Sequence, residues 1–312
     1  MKYHLQIPGK TFCFGEYAAL VGGSAFLITT KPGFEIEFEA STEKQSCPFH
    51  PQSPAGTYYE NNKEFFSSWQ VTFKDHYQGR GGFGASTAQF IGLSYFKRQT
   101  EAYDATISQS SFYKSIWQDY QDVNKQLNPN LLPVQLPSGY DLWAQLIGSV
   151  STLKRISTND GDVQFNHQRM VWPFSELEFF IVPTGFKVAT HEHLGTLNPD
   201  SLKGLSQLSD KMMVSLHDKD SDGFTEGLRL WNQRLKSLEL VHPHTLDLLG
   251  KLAQFSEIVF AKGCGALGAD ILFVAYKRGN QQRVKSILAE LNLNEVYDQS
   301  DLWEQEVRVQ LC

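Results

Sequence analysis

The sequence lacks the features that mark several large classes of protein. Its 28 basic residues are outnumbered by 34 acidic ones, the net charge is −6, and no basic tract stands out. Nucleic-acid binding needs clustered lysine and arginine, so we expect no nucleic-acid partner. No uninterrupted apolar run approaches the roughly 20 residues that a membrane-spanning helix needs, so we expect no membrane partner either.

Cysteine is scarce and dispersed. Cys13, Cys47, Cys264 and Cys312 lie far apart and form no CxxC pair. This spacing argues against a disulfide framework or a zinc site and favours a reducing compartment. Residues 1–8 lack the apolar core of a signal peptide. We therefore expect a cytoplasmic protein, with a monomer and a homodimer both left open.

The chain is long enough for two domains of ordinary size. A polar turn signature at 159–162 places the boundary nearby, which gives domains of 1–172 and 173–312. Residues 3–40 read as strands, whereas 41–70, with three prolines, read as a long loop or irregular hairpin. Hydrophobic periodicity predicts further helices and strands in both halves, so the class is α+β. The helices are expected within 101–128, 142–148, 200–217, 223–237, 244–259 and 280–291, and the strands at 178–183, 271–276, 294–297 and 306–310.

The most informative stretch is the glycine-rich segment 79–88, which follows a strand-like run and opens a helical pattern. Glycines allow a tight turn and close approach to a ligand. The helix N-terminus adds unpaired N–H groups and a positive dipole end, so the segment predicts an anion site, typically for phosphate. Ser86 and Thr87 add hydroxyls that can cap the helix or reach a phosphate-bound Mg²⁺. A flexible turn with an N-cap is the simpler alternative.

Other polar residues allow simple structural explanations. Lys10 and Glu16 flank an apolar strand and can be solvated charges at its ends. Asp141 lies at or next to the start of an apolar helix, and its position alone favours a capping role. Asp218, Asp220 and Asp222 imitate a calcium loop, but Arg229 stands where a bidentate Glu is needed, so a helix start explains them better.

Two further motifs have weak support. The spacing GxGxxG occurs at Gly79 and again at Gly263, but a dinucleotide site needs a strand, the loop, a helix and then a second strand with an acidic residue. The first copy is followed near Asp104 by a polar stretch instead of that second strand, and the second copy runs into a strand instead of a helix. His191 and His193 could share one face of a strand, but no third ligand follows at a metal-binding spacing.

Several segments, in this order, resemble motifs of the GHMP small-molecule kinases. Residues 8–17 (PGKTFCFGEY) resemble the first motif, 82–88 (GFGASTA) the phosphate loop, and 262–270 (KGCGALGAD) the C-terminal glycine motif. Residues 137–141 (PSGYD) match the segment with the catalytic aspartate. Lys10, Glu16 and Tyr17 are most similar to the mevalonate and phosphomevalonate kinases. Phe83, Ala85, Thr87 and Leu267 replace the usual Leu, Ser, Ala and Gly, and no Glu precedes Pro137 where mevalonate kinases place a Mg²⁺ ligand.

The resemblance implies an ATP- and Mg²⁺-dependent kinase acting on mevalonate, 5-phosphomevalonate or a similar small molecule. It implies an N-terminal domain of the ribosomal S5 domain-2 type and a C-terminal ferredoxin-like sandwich, with the site between them. Lys10 and Asp141 would be catalytic, and Ser86 would also bind Mg²⁺. The nucleotide-binding residues would be Gly82, Phe83, Gly84, Ala85, Ser86 and Thr87. The acceptor-binding residues would be Glu16, Ser138, Gly139, Lys187, Thr190, His191, Gly265 and Ala266.

Two other functions stay open at this point. The chain could be a kinase of the same family for a sugar or an amino-acid alcohol, or a nucleotide-binding regulator that has lost catalysis. The presence of both Lys10 and Asp141 argues against a loss of catalysis. Thermal stabilisation by ATP with Mg²⁺, followed by an ADP-release assay, separates these functions from a nicotinamide oxidoreductase.

Overall fold

A computed structural model describes residues 1–101, 108–132, 135–157, 163–187 and 199–311. The described strands form two antiparallel sheets, which confirms the α+β class and differs from the parallel sheet of a dinucleotide-binding domain. No helix among these residues is long and apolar enough to cross a membrane.

The larger sheet begins with two long strands, β1 (Lys2–Phe14) and β2 (Ala25–Ala40), which pair along most of their length. Phe34, Ile36 and Phe38 are buried, as their alternation with glutamates predicts. The other strands are β3 (Trp69–Asp75), β4 (Val150–Ser157), β5 (Val163–Met170) and the C-terminal β9 (Val309–Leu311). The order is β5-β4-β2-β1-β9, with β3 also pairing with β2.

Helices cover this sheet. They are α1 (Pro54–Asn61), α2 (Lys63–Phe66), α3 (Ala85–Glu101), α4 (Gln109–Leu127) and α5 (Tyr140–Ile147). The prediction of a long loop at 41–70 is therefore wrong for 54–66. Ser53 accepts a hydrogen bond from the backbone N–H of Gly56 at 3.0 Å, and Pro54 occupies the first helical position. Both are start signals for a helix, so a proline in this stretch indicates a helix start as well as a loop.

The second half of the chain contains a three-stranded sheet in the order β6-β8-β7. Its strands are β6 (Leu177–Pro183), β7 (Ile258–Cys264) and β8 (Ile271–Lys277), and its helices are α6 (Pro199–His217), α7 (Ser221–Ser237), α8 (Pro243–Leu252) and α9 (Gln281–Glu290). The predicted helix over 244–259 ends at Leu252 because Ile258 begins β7. At 294–297 there is a single bridge, Ile181 to Tyr297, in place of a strand.

The three-stranded sheet is buried on both faces. Phe179, Ile181 and Phe273 belong to the main core, which continues beneath the larger sheet. Phe180 and Leu272 point to a second core under α8 and α9. Strands buried on both faces read as continuous apolar runs, which is the pattern of residues 271–276. This packing brings the loop between β7 and β8 next to the glycine-rich segment.

Candidate active site

The glycine-rich segment leads from β3 into α3. Gly79, Gly82 and Gly84 all have positive φ, between 78° and 87°, a region that side chains other than glycine rarely adopt. The carboxylate of Asp75 accepts hydrogen bonds from the N–H groups of Tyr77 and Gly79, both at 2.8 Å. The segment thus has a hydrogen-bonded turn at its start and a helix at its end.

The side chain of Phe83 anchors the middle of this segment in the hydrophobic core. Its ring is fully buried and stacks on Tyr77, with centroids 3.9 Å apart and planes 9° apart. Tyr297 contacts the same ring edge-on at 5.4 Å. The Tyr77 hydroxyl donates to the Thr30 carbonyl at 2.7 Å, which ties the stack to β2. Phe83 is a core residue whose backbone shapes the loop.

The N-terminus of α3 is open to an anion. Residues 85–88 carry no acidic side chain, and Ser86 is exposed at the first turn. Thr87 is buried and lies beside Tyr120. Exposed N–H groups, a helix dipole and an exposed hydroxyl are what a phosphate with its Mg²⁺ requires, so these residues fit a Mg²⁺–nucleotide.

Lys10 and Asp141 face each other beside this loop. Lys10 Nζ lies 2.9 Å from Asp141 Oδ2, with the two side chains 9% and 34% exposed. The backbone N–H of Lys10 also donates to the Phe83 carbonyl at 2.9 Å, and this hydrogen bond ties β1 to the glycine-rich segment. A Cβ on Gly84 would lie 2.9 Å from Lys10 Cε. The predicted catalytic pair is therefore assembled against the predicted phosphate loop.

The surroundings of Asp141 correct its predicted capping role. The N-cap of α5 is Gly139, with a φ of 81° and no side-chain cap. Ser138 Oγ accepts from the Tyr140 N–H at 3.4 Å, so the serine supports the helix start. Asp141 lies in the first turn, where a negative charge is favourable, and its carboxylate pairs with Lys10. Burial, followed by the charge of Asp141, raises the pKa of Tyr120 to about 12.

Sequence reasoning missed Gln145, one helical turn after Asp141. Its side chain is fully buried, and Nε2 donates to the Pro8 carbonyl at 2.7 Å and to the Gly84 carbonyl at 3.4 Å. It therefore joins β1, the glycine loop and α5 at one point. The only available signal was its i+4 spacing from Asp141, which places both residues on one face of α5.

The C-terminal glycine motif packs against the phosphate loop. A Cβ on Gly81 would lie 2.6 Å from Asp270 Oδ1, and one on Gly265 would lie 2.6 Å from Asp270 Oδ2. Asp270 is buried between these two glycines. Leu267, which replaces a usual glycine, keeps a left-handed backbone with a φ of 50°. Asp270 thus brings Gly265 close to Gly81 of the glycine-rich segment.

Glu16 occupies an interior ion pair. Glu16 Oε1 lies 2.9 Å from Lys262 Nζ, with side-chain exposures of 8% and 0%, and it also accepts from Trp231 at 3.5 Å. Glu16 Oε2 is buried and has no hydrogen-bond partner among the described residues. In this conformation Oε1 is engaged by Lys262 and Trp231 and Oε2 is buried, so the Glu16 carboxylate is directed to the interior ion pair.

Of the remaining predicted acceptor-binding residues, Lys187 is among the described residues, and the others are not fully described. Lys187 is exposed, and its side chain passes near Gly81 at the glycine loop. Arg80, in contrast, forms an ion pair with Glu295. Thr190 and His191, and with them the His191–His193 motif, lie outside the described residues, as does the side chain of Ala266.

Two other clusters are separate from the site. Asp220 caps α7 by accepting from the Gly223 N–H at 3.0 Å, which confirms the helix-start interpretation of the acidic triplet. A polar cavity of about 310 Å³ lies between α1, α3 and α4. It lies near Arg98, some 20 Å along α3 from the glycine loop, and Asp119 there is already paired with Arg98.

The chain matches no protein-family model and no curated protein. Solved structures resemble it over nearly its full length. A Listeria innocua protein, Lin0012, has a TM-score of 0.75 at 12% identity and covers 99% of both chains. Streptococcus pneumoniae phosphomevalonate kinase in complex with phosphomevalonate and AMPPNP has a TM-score of 0.74 at 14% identity, covering 95% of this chain and 99% of its own.

Methanococcus jannaschii mevalonate kinase has a TM-score of 0.62 at 15% identity, covering 100% of this chain and 98% of its own. At such low identity the likeness establishes the fold. The chain therefore has the fold of the GHMP small-molecule kinases.

Proposed function

We propose that the chain is an ATP-dependent kinase that phosphorylates a small molecule. The observation that carries this proposal is the 2.9 Å Lys10–Asp141 pair, set against a loop of left-handed glycines that opens a helix. A buried cation beside an anion-binding helix N-terminus is suited to phosphoryl transfer. This chemistry depends on positioning and charge neutralisation more than on covalent help from the protein.

In this proposal the backbone N–H groups of residues 82–87 hold the nucleotide phosphates. The Ser86 hydroxyl is the candidate Mg²⁺ ligand, and bound Mg²⁺ would neutralise phosphate charge. Lys10 stabilises the transferring group from its place on β1. Gln145 holds β1, the strand of Lys10, next to the glycine loop by donating hydrogen bonds to the carbonyls of Pro8 and Gly84.

Asp141 orients the acceptor and takes its proton where the acceptor is an alcohol. If the acceptor is already a phosphate, no strong base is needed and orientation is the remaining role. The carboxylate is one-third exposed, so a ligand can approach it without opening the core. Ser138 and Gly139 precede it, and we propose that they line the acceptor site with Lys187, Thr190, His191, Gly265 and Ala266.

We further propose mevalonate or 5-phosphomevalonate as the acceptor, with 5-phosphomevalonate slightly favoured. Support comes from Lys10, Glu16–Tyr17 and the Asp270 ending of the third motif, and from the similar fold of a phosphomevalonate kinase. A doubly anionic acceptor needs cationic partners. Lys187 is exposed beside the glycine loop, whereas Arg80 already pairs with Glu295 and Lys262 with Glu16. Lys187 is therefore the preferred partner for the phosphate that 5-phosphomevalonate already carries.

The domain division at 172/173 remains part of the proposal. The three-stranded sheet and its helices would form the second domain. The C-terminal strand β9 nevertheless pairs with β1 in the larger sheet, so the last residues return to the first domain's sheet.

The test is a panel of mevalonate, 5-phosphomevalonate, galactose and homoserine, each assayed for ADP release and product mass, with ATP binding measured separately by calorimetry. We expect turnover with mevalonate or 5-phosphomevalonate, and Lys187→Ala should raise KM for 5-phosphomevalonate more than for mevalonate. Turnover confined to galactose or homoserine would reject the acceptor but keep the kinase. ATP binding without any turnover would favour a non-catalytic nucleotide-binding protein.

A further inference from the structure

The Glu16–Lys262 pair is unusual because both charges are withdrawn from water. Lys262 is fully buried and Glu16 Oε1 is 2.9 Å from its ammonium. Lys262 also donates to Cys264 Sγ at 3.5 Å. Burial raises the pKa of the Cys264 and Cys13 thiols, so both stay neutral and Glu16 is the anion that compensates Lys262. Such a pair seldom adds net stability relative to neutral residues, so its presence calls for another explanation.

The pair joins two motifs that lie at opposite ends of the chain. Glu16 follows the end of β1, the strand that carries Lys10. Lys262 lies on β7 immediately before residues 263–270, which comprise the end of β7 and its connection to β8 and are called the 263–270 loop below. A second link runs alongside, because the Leu267 N–H donates to the Tyr17 hydroxyl at 3.3 Å. Residues 16–17 therefore hold the loop from one side at two points.

The opposite end of the loop contacts the phosphate loop. Asp270 is packed against Gly81, and Ile271 Cδ1 would lie 2.6 Å from a Cβ on Gly82. The loop is thus held between the turn after β1 and the glycine segment that precedes α3. A shift at Glu16–Lys262 would be passed to Leu267, whose N–H donates to the Tyr17 hydroxyl, and through the loop to Asp270 beside Gly81.

We propose that the Glu16–Lys262 pair is a positioning device that sets the place of the 263–270 loop relative to Lys10 and Asp141. The inference rests on the proposed kinase function. The unpartnered Glu16 Oε2 fits this role, because the carboxylate is held by its link to Lys262 rather than by a complete set of bonds. Neither residue is expected to touch the transferring phosphoryl group.

The experiment compares Lys262→Met, Glu16→Gln and the double variant Glu16→Gln/Lys262→Met. Each single change leaves a buried charge or dipole without its partner and should lower the melting temperature. The double variant is close in size to the wild type and carries no buried charge at the pair, and the Trp231 N–H that donates to Glu16 can donate to the glutamine oxygen. Its melting temperature should therefore recover above those of both single variants. Asp247→Asn/Lys251→Met, at an exposed pair 2.7 Å apart on α8, is the matched control and should change nothing.

Two measurements on the full-length double variant then test positioning. Hydrogen exchange at the Leu267 amide should accelerate, and kcat/KM for the acceptor should stay roughly 10- to 100-fold below wild type while ATP affinity is kept. If the double variant regains both stability and kcat/KM, the pair is only structural and the proposal is wrong. Reduced kcat/KM with unchanged exchange would also overturn it, because the effect would not pass through the loop.

Failure of the kinase function gives a different pattern. If the wild type phosphorylates no acceptor, the proposed function fails, and the coupling is judged by exchange alone. Faster exchange at Leu267 with a recovered melting temperature would then support the mechanical link between the two motifs. Unchanged exchange would reject it.

Discussion

Asp141→Asn removes one charge from the Lys10 pair and keeps the size of the side chain. The N-cap of α5 is Gly139, so the change leaves the helix start intact. It also leaves the backbone of residues 82–87 untouched, so ATP should still bind. What is lost is the carboxylate that faces Lys10 Nζ at 2.9 Å and the group proposed to orient the acceptor.

The expected cost in stability follows from exposure. Exposed ion pairs contribute about 0–1 kcal/mol, whereas removing one partner of a buried pair costs about 3–5 kcal/mol. Asp141 is 34% exposed and Lys10 only 9%, so the pair is intermediate. We expect a loss of about 1–3 kcal/mol. With an unfolding entropy of about 2.1 cal/mol/K per residue, that lowers the melting temperature of a chain of this size by roughly 2–5 °C.

The cost in turnover should be much larger. Where the acceptor is an alcohol, loss of the general base lowers turnover by roughly 10²–10⁴-fold. Where the acceptor is a phosphate, only the orienting role of Asp141 is lost, and the decrease should be smaller. Lys10→Met should have a similar effect, and the double variant should lose little more, because the two residues act as a unit. Steady-state kinetics and a thermal melt on the same sample measure both quantities, with calorimetry for ATP.

Asp210→Asn is the matched control for this variant. Asp210 Oδ2 also lies 2.9 Å from a lysine, Lys154, but the pair is more exposed, at 41% for both side chains. This variant should keep full turnover with a smaller loss of stability. Near-normal turnover by Asp141→Asn would refute the catalytic assignment. Equal losses of turnover in Asp141→Asn and Asp210→Asn would show that activity merely follows stability.

Three further outcomes follow from the same structure. Gly84→Ala should weaken ATP binding at least tenfold in calorimetry, because its Cβ would lie 2.9 Å from Lys10 Cε; Gly79→Ala has a similar positive φ but open space, and should not. Burial raises the pKa of Asp210, but hydrogen bonds from Lys154 and Ser24 outweigh burial and the folded pKa is lowered. The contribution of Asp210 to stability is therefore present above the unfolded pKa and is lost as the pH falls through the lower folded pKa. Thermal melts should therefore show the difference between wild type and Asp210→Asn shrinking below about pH 4. Asp220→Ala should cost about 1 kcal/mol in denaturant unfolding through loss of a cap, and calcium should not change the melting temperature of either protein.

The sequence predicted the loops of this site better than their contacts. A left-handed backbone requires glycine at most positions, so Gly82, Gly84 and Gly265 could be recognised locally. The Lys10–Asp141 pair joins residues far apart in the chain, and only the family resemblance suggested it. The Glu16–Lys262 pair spans 246 residues and was missed, although both residues belonged to recognised motifs.

Errors arose where a residue type has two structural meanings. A proline such as Pro54 predicts a loop in a polar stretch, but after the cap Ser53 it begins α1. Position alone predicts that Asp141 caps α5 from a place at or next to the N-cap, but the N-cap is Gly139, with a left-handed backbone, and Asp141 lies in the first turn. The local sequence pattern could not decide these two cases. Pro54 depends on which residue is the first of the helix, and Asp141 depends on its contact with Lys10, which is distant in the chain.

Leu267 shows why the fold survives at low sequence identity. A non-glycine residue in the left-handed region costs about 1–2 kcal/mol. Here the backbone is held from two sides, because the Leu267 N–H donates to Tyr17 at 3.3 Å and its carbonyl accepts from the His242 N–H at 2.8 Å. Two hydrogen bonds of about 1 kcal/mol each offset that cost. The loop shape is therefore set by its neighbours, so the usual glycine is dispensable at this position while Gly81 and Gly265, which pack directly on Asp270, are not.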